Sequence, residues 1–289
     1  MTKAIWSAAW LLLCALPAAA AEERTVDPTF LRRHLPAVKE APVAVSSPSA
    51  SYRPLFGDGD GQNRTLRGVT RFGELRVRTR GGSAPALYPR EEHILVVLEG
   101  EGTVTYGDRT VPVRAEDYVY LPAGVRFGLN GGDRSAVRAV LMGYKIPASM
   151  PIAVPATAMK ANMRDVPLVT VGNHPDSVLY RLLMGDTKSK RDKLSTGHLM
   201  VSLFLMEFAP GGTNFPHHHE TQEEIYLLLD GTGEMVAGGG MDGVEGRFRA
   251  KPGDAYYFRP NTTVGFYSDK SGGRPTRILA VRNNLPPKE

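Results

Sequence analysis

Gly211-Gly212-Thr213-Asn214-Phe215-Pro216-His217-His218-His219-Glu220-Thr221-Gln222-Glu223-Glu224-Ile225-Tyr226-Leu227-Leu228-Leu229-Asp230-Gly231 is the stretch on which the reading of this chain turns. Alternate residues of an extended strand share a face, so His217 and His219 point together and His218 points away. Glu224 opens the apolar run Ile225–Leu229 and can swing into the same space. Two imidazoles and one carboxylate supply three ligands for one divalent transition metal. Water or substrate would fill the remaining positions, the arrangement of a catalytic metal rather than a closed structural one. The competing reading is a solvated turn that happens to carry three histidines.

Working outward, the apolar run has a twin. Ile94-Leu95-Val96-Val97-Leu98 is followed by Glu99-Gly100-Glu101-Gly102, as Ile225–Leu229 is followed by Asp230-Gly231-Thr232-Gly233. Ala115–Leu121 precedes Pro122, as Pro252–Phe258 precedes Pro260. The offset is about 131 residues at the apolar run and a few more at the later turn. Such self-similarity means two copies of one architecture. Each copy is a series of short strands punctuated by turns, which predicts an all-β chain of sandwiches or barrels.

Gly211, His217, His219, Glu224 and Gly231 together match the first motif of the cupin superfamily in full, and Gly253 to Pro260 matches the second in part. The chain therefore resembles a bicupin. That resemblance implies two tandem double-stranded β-helix (jelly-roll) barrels, covering about residues 66–144 and 197–283, and a metal held by His217, His219 and Glu224. It leaves the metal open among Fe, Mn, Zn and Ni, and Glu223 as an alternative to Glu224. The resemblance also implies a third histidine near Gly265, where there is none, and no histidine follows His219. The fourth protein ligand is therefore either missing, leaving two histidines and one carboxylate, or a non-histidine such as Tyr257 or Tyr267. In the first copy, His93 stands at the place of Glu224, Ala86 and Tyr88 near those of the two histidines, and Phe127 at the late histidine. That barrel is expected to have lost its metal site. His34, His174 and His198 are isolated and read as structural. Arg247, Arg249 and Arg259 are candidates for pairing with a carboxylate, because a guanidinium fork matches it bidentately.

The chain has 289 residues, enough for about two domains. Hydrophobic residues at 42% and charged residues at 22% exclude wholesale disorder and a multi-span membrane protein. The net charge of +5 raises nucleic acid as a partner, but Lys and Arg are scattered and the one dense run, Lys188–Lys193, reads as a solvated loop. Lys3, the twelve-residue apolar stretch Ile5–Leu16 and Ala18–Ala21 read as a signal peptide over residues 1–21. An uncleaved anchor is the competing reading. Cys14, the single cysteine, lies inside that segment, so the mature chain would have no disulfide and no cysteine ligand. Residues 22–64 read as an arm or linker, with a short helix at Asp27–His34 capped by Asp27. The N-terminal barrel is expected over 65–146, a connector with strands over 147–196 and the C-terminal barrel over 197–284.

These readings combine into an exported bicupin with one metal site in its C-terminal barrel. The expected function is metal-dependent catalysis of oxygenase, decarboxylase, or hydrolase or isomerase type on a small anionic or catechol-like molecule. The alternative is a barrel that binds a sugar or a small acid without turnover. A homo-oligomer is expected, with no nucleic-acid partner and no membrane contact after signal cleavage.

Overall fold

The two apolar runs lack polar alternation because both faces of their strands are buried. The computed structural model describes residues 27–61, 65–240, 245–271 and 273–287. The signal-peptide reading and Cys14 lie outside them. In chain order the strands are β1 (Phe30–His34), β2 (Ala50–Gly57), β3 (Val69–Val77), β4 (Glu91–Glu99), β5 (Glu101–Tyr106), β6 (Arg109–Arg114), β7 (Asp117–Leu121), β8 (Phe127–Gly131), β9 (Val137–Lys145) and β10 (Met159–Asn162). There follow β11 (Val178–Asp186), β12 (Leu194–Gly197), β13 (Met200–Phe208), β14 (Gln222–Asp230), β15 (Gly233–Gly238), β16 (Glu245–Ala250), β17 (Asp254–Phe258), β18 (Thr263–Ser268) and β19 (Thr276–Asn284). The expected all-β class is observed, and the described residues contain no α-helix.

Four sheets make two barrels. In the first half the sheet β10-β7-β4-β9-β3-β2 shares a core with the sheet β6-β5-β8. In the second half β1-β17-β14-β19-β13-β11-β12 shares a core with β16-β15-β18. A third core lies between the two large sheets, where Ile94, Val96 and Tyr144 meet Ile225, Leu227 and Tyr257. Along β14 the side chains therefore alternate between two buried environments. Tyr226 and Leu228 face the barrel interior, while Ile225 and Leu227 face the other barrel.

Strands from outside the duplicated units complete the large sheets, with β10 and β1 at equivalent edges. β10, from the connector, pairs antiparallel with β7, Ala161 opposite Tyr118. β1 pairs with β17, Phe30 opposite Phe258 and Leu31 opposite Tyr257. The segment Asp27–His34 is thus a strand leading into a 3-10 turn at Leu35–Ala37, not the expected helix. The edge of the C-terminal sheet offers that backbone more hydrogen bonds than an isolated helical turn could, and tertiary pairing overrides the local cap signal. The strand β2, from Ala50, also falls inside the stretch expected as arm or linker.

Reciprocal carboxylates tie the barrels together. Glu92 and Glu223 point into the core between the sheets and are fully buried. Glu92 accepts backbone N–H bonds from His198, Leu199 and Met200 at 2.7–2.8 Å, and its own barrel's Tyr120 hydroxyl lies 2.9 Å away. Glu223 accepts from the amides of Arg67 and Gly68 at 2.6 and 2.8 Å, with the Tyr257 hydroxyl at 2.5 Å and the Asn283 amide nitrogen at 2.8 Å. Each barrel thereby caps the entry of a strand in the other.

Candidate metal centre

The histidine segment is held as one extra rung against β18. His217 N–H donates to Val264 O at 2.9 Å, and Val264 N–H donates back at 2.8 Å. Asn261 N–H donates to His219 O at 2.8 Å. This extended geometry produces the alternation read from the sequence, with His217 and His219 half-buried and His218 exposed. Buried Asn214 braces the preceding turn, accepting from Phe266 N–H at 2.8 Å. Glu224 comes from β14, one residue out of phase with Glu223, and so projects into the barrel interior. A one-residue step on a strand reverses the face, so Glu223 does not reach this site.

One nitrogen from each histidine and one oxygen of Glu224 lie within 4.8 Å of one another. His217 Nδ1 donates to Phe215 O at 2.8 Å, which leaves Nε2 as its ligand atom. Metal-ligating histidines are oriented by such carbonyls. Turning that carbonyl inward puts Phe215 at φ +52, a left-handed conformation that bulky residues rarely adopt. Glu224 Oε2 is buried without a hydrogen-bond partner, 3.3 Å from His219 Nε2. Burial alone would raise the Glu224 pKa, but His219, Arg282 and His217 together hold it below the ordinary value. Burial lowers the pKa of His217 and favours its neutral, ligating form. A buried carboxylate beside two imidazoles, one of them oriented by a carbonyl, fits a divalent metal.

The register corrects the place of the late ligand. Gly253 (φ +88) and Glu116 (φ +69) make the same left-handed turn before β17 and β7. Counting from those turns, and from the bridges His217–Val264 and Ala86–Phe127, the partner of Phe127 is Val264, not Gly265. The extra residue before Pro260 is absorbed in the turn. Val264 packs in the barrel core, so that position offers no ligand. Neither tyrosine substitutes. Tyr257 is committed to Glu223 between the barrels, and Tyr267 lies under the guanidinium of Arg247.

The cluster opens on a small cavity of about 80 Å³, lined also by His174, Tyr180, Arg191, Phe204 and Arg282. His174, read as isolated, has its ring 5.1 Å from that of His217 and donates from Nδ1 to Asn214 O at 3.0 Å. Arg282 stacks on Phe204 at 5.5 Å, with Nε 3.9 Å from Glu224 Oε1. The arginines expected to meet a carboxylate lie elsewhere. Arg247 pairs with Glu234 and Arg249 with Asp269 on the surface, while Arg259 reaches the carbonyls of Asp27 and Pro28. A larger groove of about 740 Å³ lies on the first barrel. Its buried carboxylate, Asp117, is already paired with Lys160 and Asn162.

The corresponding place in the first barrel is filled by Arg71, which is nearly inaccessible. Its guanidinium donates to Asp58, the Tyr88 hydroxyl and Glu91 at 2.8–3.1 Å and lies 4.2 Å from the Tyr88 ring centroid. Glu91 Oε2 is 3.4 Å from His93 Nε2. Burial favours neutral Glu91, yet His93 and Arg71 outweigh it and bring its pKa from 4.5 to about 2. A fixed cation stands where the other barrel gathers ligands.

The sequence matches the description "Cupin domain" over residues 75–143 and 204–282, just over half of the chain. This chain belongs to the cupin family. The two matched stretches are the two barrels, and this cupin is a tandem one. No curated protein matches it in sequence. Among solved structures it is similar to protein Ylba from E. coli, at TM-score 0.66 and 14% identity, covering 93% of this chain and 97% of that one. A putative glyoxylate induced protein from Pseudomonas aeruginosa aligns at TM-score 0.69 and 16% identity, with 94% of each chain covered. The oxalate decarboxylase of Lactobacillus farciminis, solved as a formate complex, aligns at 0.66 and 13%, covering 91% and 88%. At these identities the likeness is one of fold. Among the described residues no helix is long and apolar enough to cross a membrane.

Proposed function

We propose that this cupin is a metal-dependent enzyme working in its C-terminal barrel on a small molecule. The observation that carries the proposal is the convergence of His217, His219 and Glu224 within 4.8 Å around a buried carboxylate oxygen with no partner. A bound divalent transition metal would supply Lewis acidity or oxygen activation there. The Phe215 carbonyl fixes the His217 tautomer. Because His174 Nδ1 donates to a carbonyl, neutral His174 keeps a lone pair on Nε2 and can take a proton from a substrate in the cavity. Tyr180, Phe204 and Tyr226 wall that cavity and limit water. The first barrel acts as scaffold. The structural likeness to an oxalate decarboxylase supports acid chemistry as one branch, alongside oxygenase and hydrolase chemistry.

Export belongs to the same proposal and is supported by the apolar stretch Ile5–Leu16, the alanines that follow it and the confinement of the only cysteine to that segment. Homo-oligomerisation also belongs to it, supported by the family's tandem-barrel likeness alone.

The test is metal content by mass spectrometry on untagged protein expressed to its native compartment, beside His217→Ala/His219→Ala. About one equivalent in the wild type, lost in the variant, supports the enzyme, and the metal's identity selects an oxygen-uptake, hydrolysis or decarboxylation assay. No metal in either protein after reconstitution overturns it in favour of a binding barrel.

A further inference from the structure

The two barrels aim an arginine into the same space from adjacent strands. Aligned on the strand registers, Arg71 of β3 corresponds to Ser202 of β13, and Arg282 of β19 corresponds to Gly143 of β9. In each barrel the position beside the arginine is small. A Cβ on Gly143 would come within 2.8–2.9 Å of Arg71 and His93, so that glycine makes room for the first guanidinium.

Their partners differ. The Nη atoms of Arg71 are taken up by Asp58, Tyr88 and Glu91, although its Nε is unpaired as well. Among the described residues no hydrogen bond reaches the Arg282 side chain, and its Nε is buried and unpaired. Its nearest anion, Glu224 Oε1, stands 3.9 Å from Nε, beyond hydrogen-bond distance. A buried guanidinium donor without an acceptor carries a desolvation cost that an incoming anion would relieve. Arg191, held by Ser202 at 3.3 Å and paired with Asp192 at 3.5 Å, brings a second, partly neutralised guanidinium to the same cavity.

Resting on the reading of this cavity as the working site, we propose that Arg282 is the anchor for a carboxylate, and that the substrate is a small carboxylic acid bound as its anion. Three observations set the class. Stacking on Phe204 leaves the planar edge of the guanidinium as its approach, which matches the two oxygens of a carboxylate. The Glu224 carboxylate alongside disfavours a doubly charged tetrahedral anion. The cavity is small, about 80 Å³, which favours a short acid over a bulkier ligand. Arg191 at the rim raises the encounter rate of anions. Arg71 cannot serve in the same way, so one anion binds per chain.

The test is binding of acetate to the full chain, by saturation-transfer NMR and calorimetry, with isosteric acetamide and sulfate as controls. Each is run on chelator-treated and on metal-reconstituted protein. Acetate is expected to bind wild type at least tenfold more tightly than acetamide or sulfate. Arg282→Gln should lose at least tenfold in acetate affinity while keeping the wild-type melting temperature and metal content. Arg282→Lys, which keeps the charge and is the safer variant for folding, should lose an intermediate amount. Arg191→Gln should lose two- to threefold, and the loss should vanish at high salt. Acetamide or sulfate binding as well as acetate, or wild-type acetate affinity in both Arg282 variants, overturns the anchor. Metal content is read separately. A chain that takes no metal yet binds acetate through Arg282 defeats the enzyme reading and keeps the anchor. A chain that takes metal but binds acetate independently of Arg282 does the reverse.

Discussion

Glu92 and Glu223 occupy equivalent places in the two barrels, and each carboxylate accepts backbone amides from the opposite barrel. Glu223→Ala would leave the amides of Arg67 and Gly68 without their acceptor and take one of two acceptors from the side chain of Asn283. At about 1–3 kcal/mol for each buried unsatisfied group, the expected loss is about 3 kcal/mol or more. Urea unfolding of the variant against wild type measures it. Glu92→Ala should cost a similar amount, and both variants should still unfold in one transition because the third core joins the barrels.

The folded state favours the Glu224 carboxylate, because His219, Arg282 and His217 outweigh its burial. Glu224→Gln should therefore melt somewhat below the wild type when both are chelator-treated. With metal in excess the gap should widen, because a ligand that binds only the folded state raises its stability. Paired thermal melts with and without chelator check this, and an unchanged gap in metal would count against Glu224 as a ligand.

Phe215 stores backbone strain at the site. At φ +52 and 55% exposed, its ring has little packing to lose. A left-handed non-glycine residue costs roughly 1–2 kcal/mol, and glycine's extra freedom in the unfolded chain returns part of that. Phe215→Gly should therefore stabilise the protein by up to about 1 kcal/mol. It should also weaken metal binding if the freed carbonyl lets His217 rotate. Denaturation midpoints and metal titration separate the two effects.

The first barrel should respond to acid through Glu91. Its pKa falls from 4.5 unfolded to about 2 folded, so the folded state favours the charged form. That stabilisation is fully present above about pH 5 and is lost as the pH falls toward 2. Glu91→Gln should flatten this part of the stability profile. Arg71→Ala should destabilise the first barrel, chiefly by removing the buried guanidinium from Glu91 and the Tyr88 ring, and it should not create a second metal site, because Ala86 and Phe127 supply no ligand.

What was legible in the sequence was whatever depends on alternation and spacing. Alternation brought His217 and His219 together and the paired apolar runs marked the two repeats, whereas Glu223 stayed open beside Glu224 until the phase of β14 separated them. The extra residue before Pro260 moved the late-ligand position from Gly265 to Val264, which only backbone register reveals. Arg282, Arg191 and His174 were not legible as cavity residues. They come from β19, the loop between β11 and β12, and the connector, and only the closed barrel brings them to β14. Nor could local propensity place β1, whose partner strand lies near the other end of the chain.

That last pairing sets an order of events during synthesis. Arg32 and Asp254 meet across the β1–β17 seam although 222 residues separate them. At roughly 10 residues per second, the first described strand waits about 20 s for its partner to leave the ribosome. The sheet that carries Glu224 is incomplete through that interval and until β19 follows β17. The barrel with the metal ligands is therefore the later of the two to be complete, and the N-terminal strand has to stay available for it.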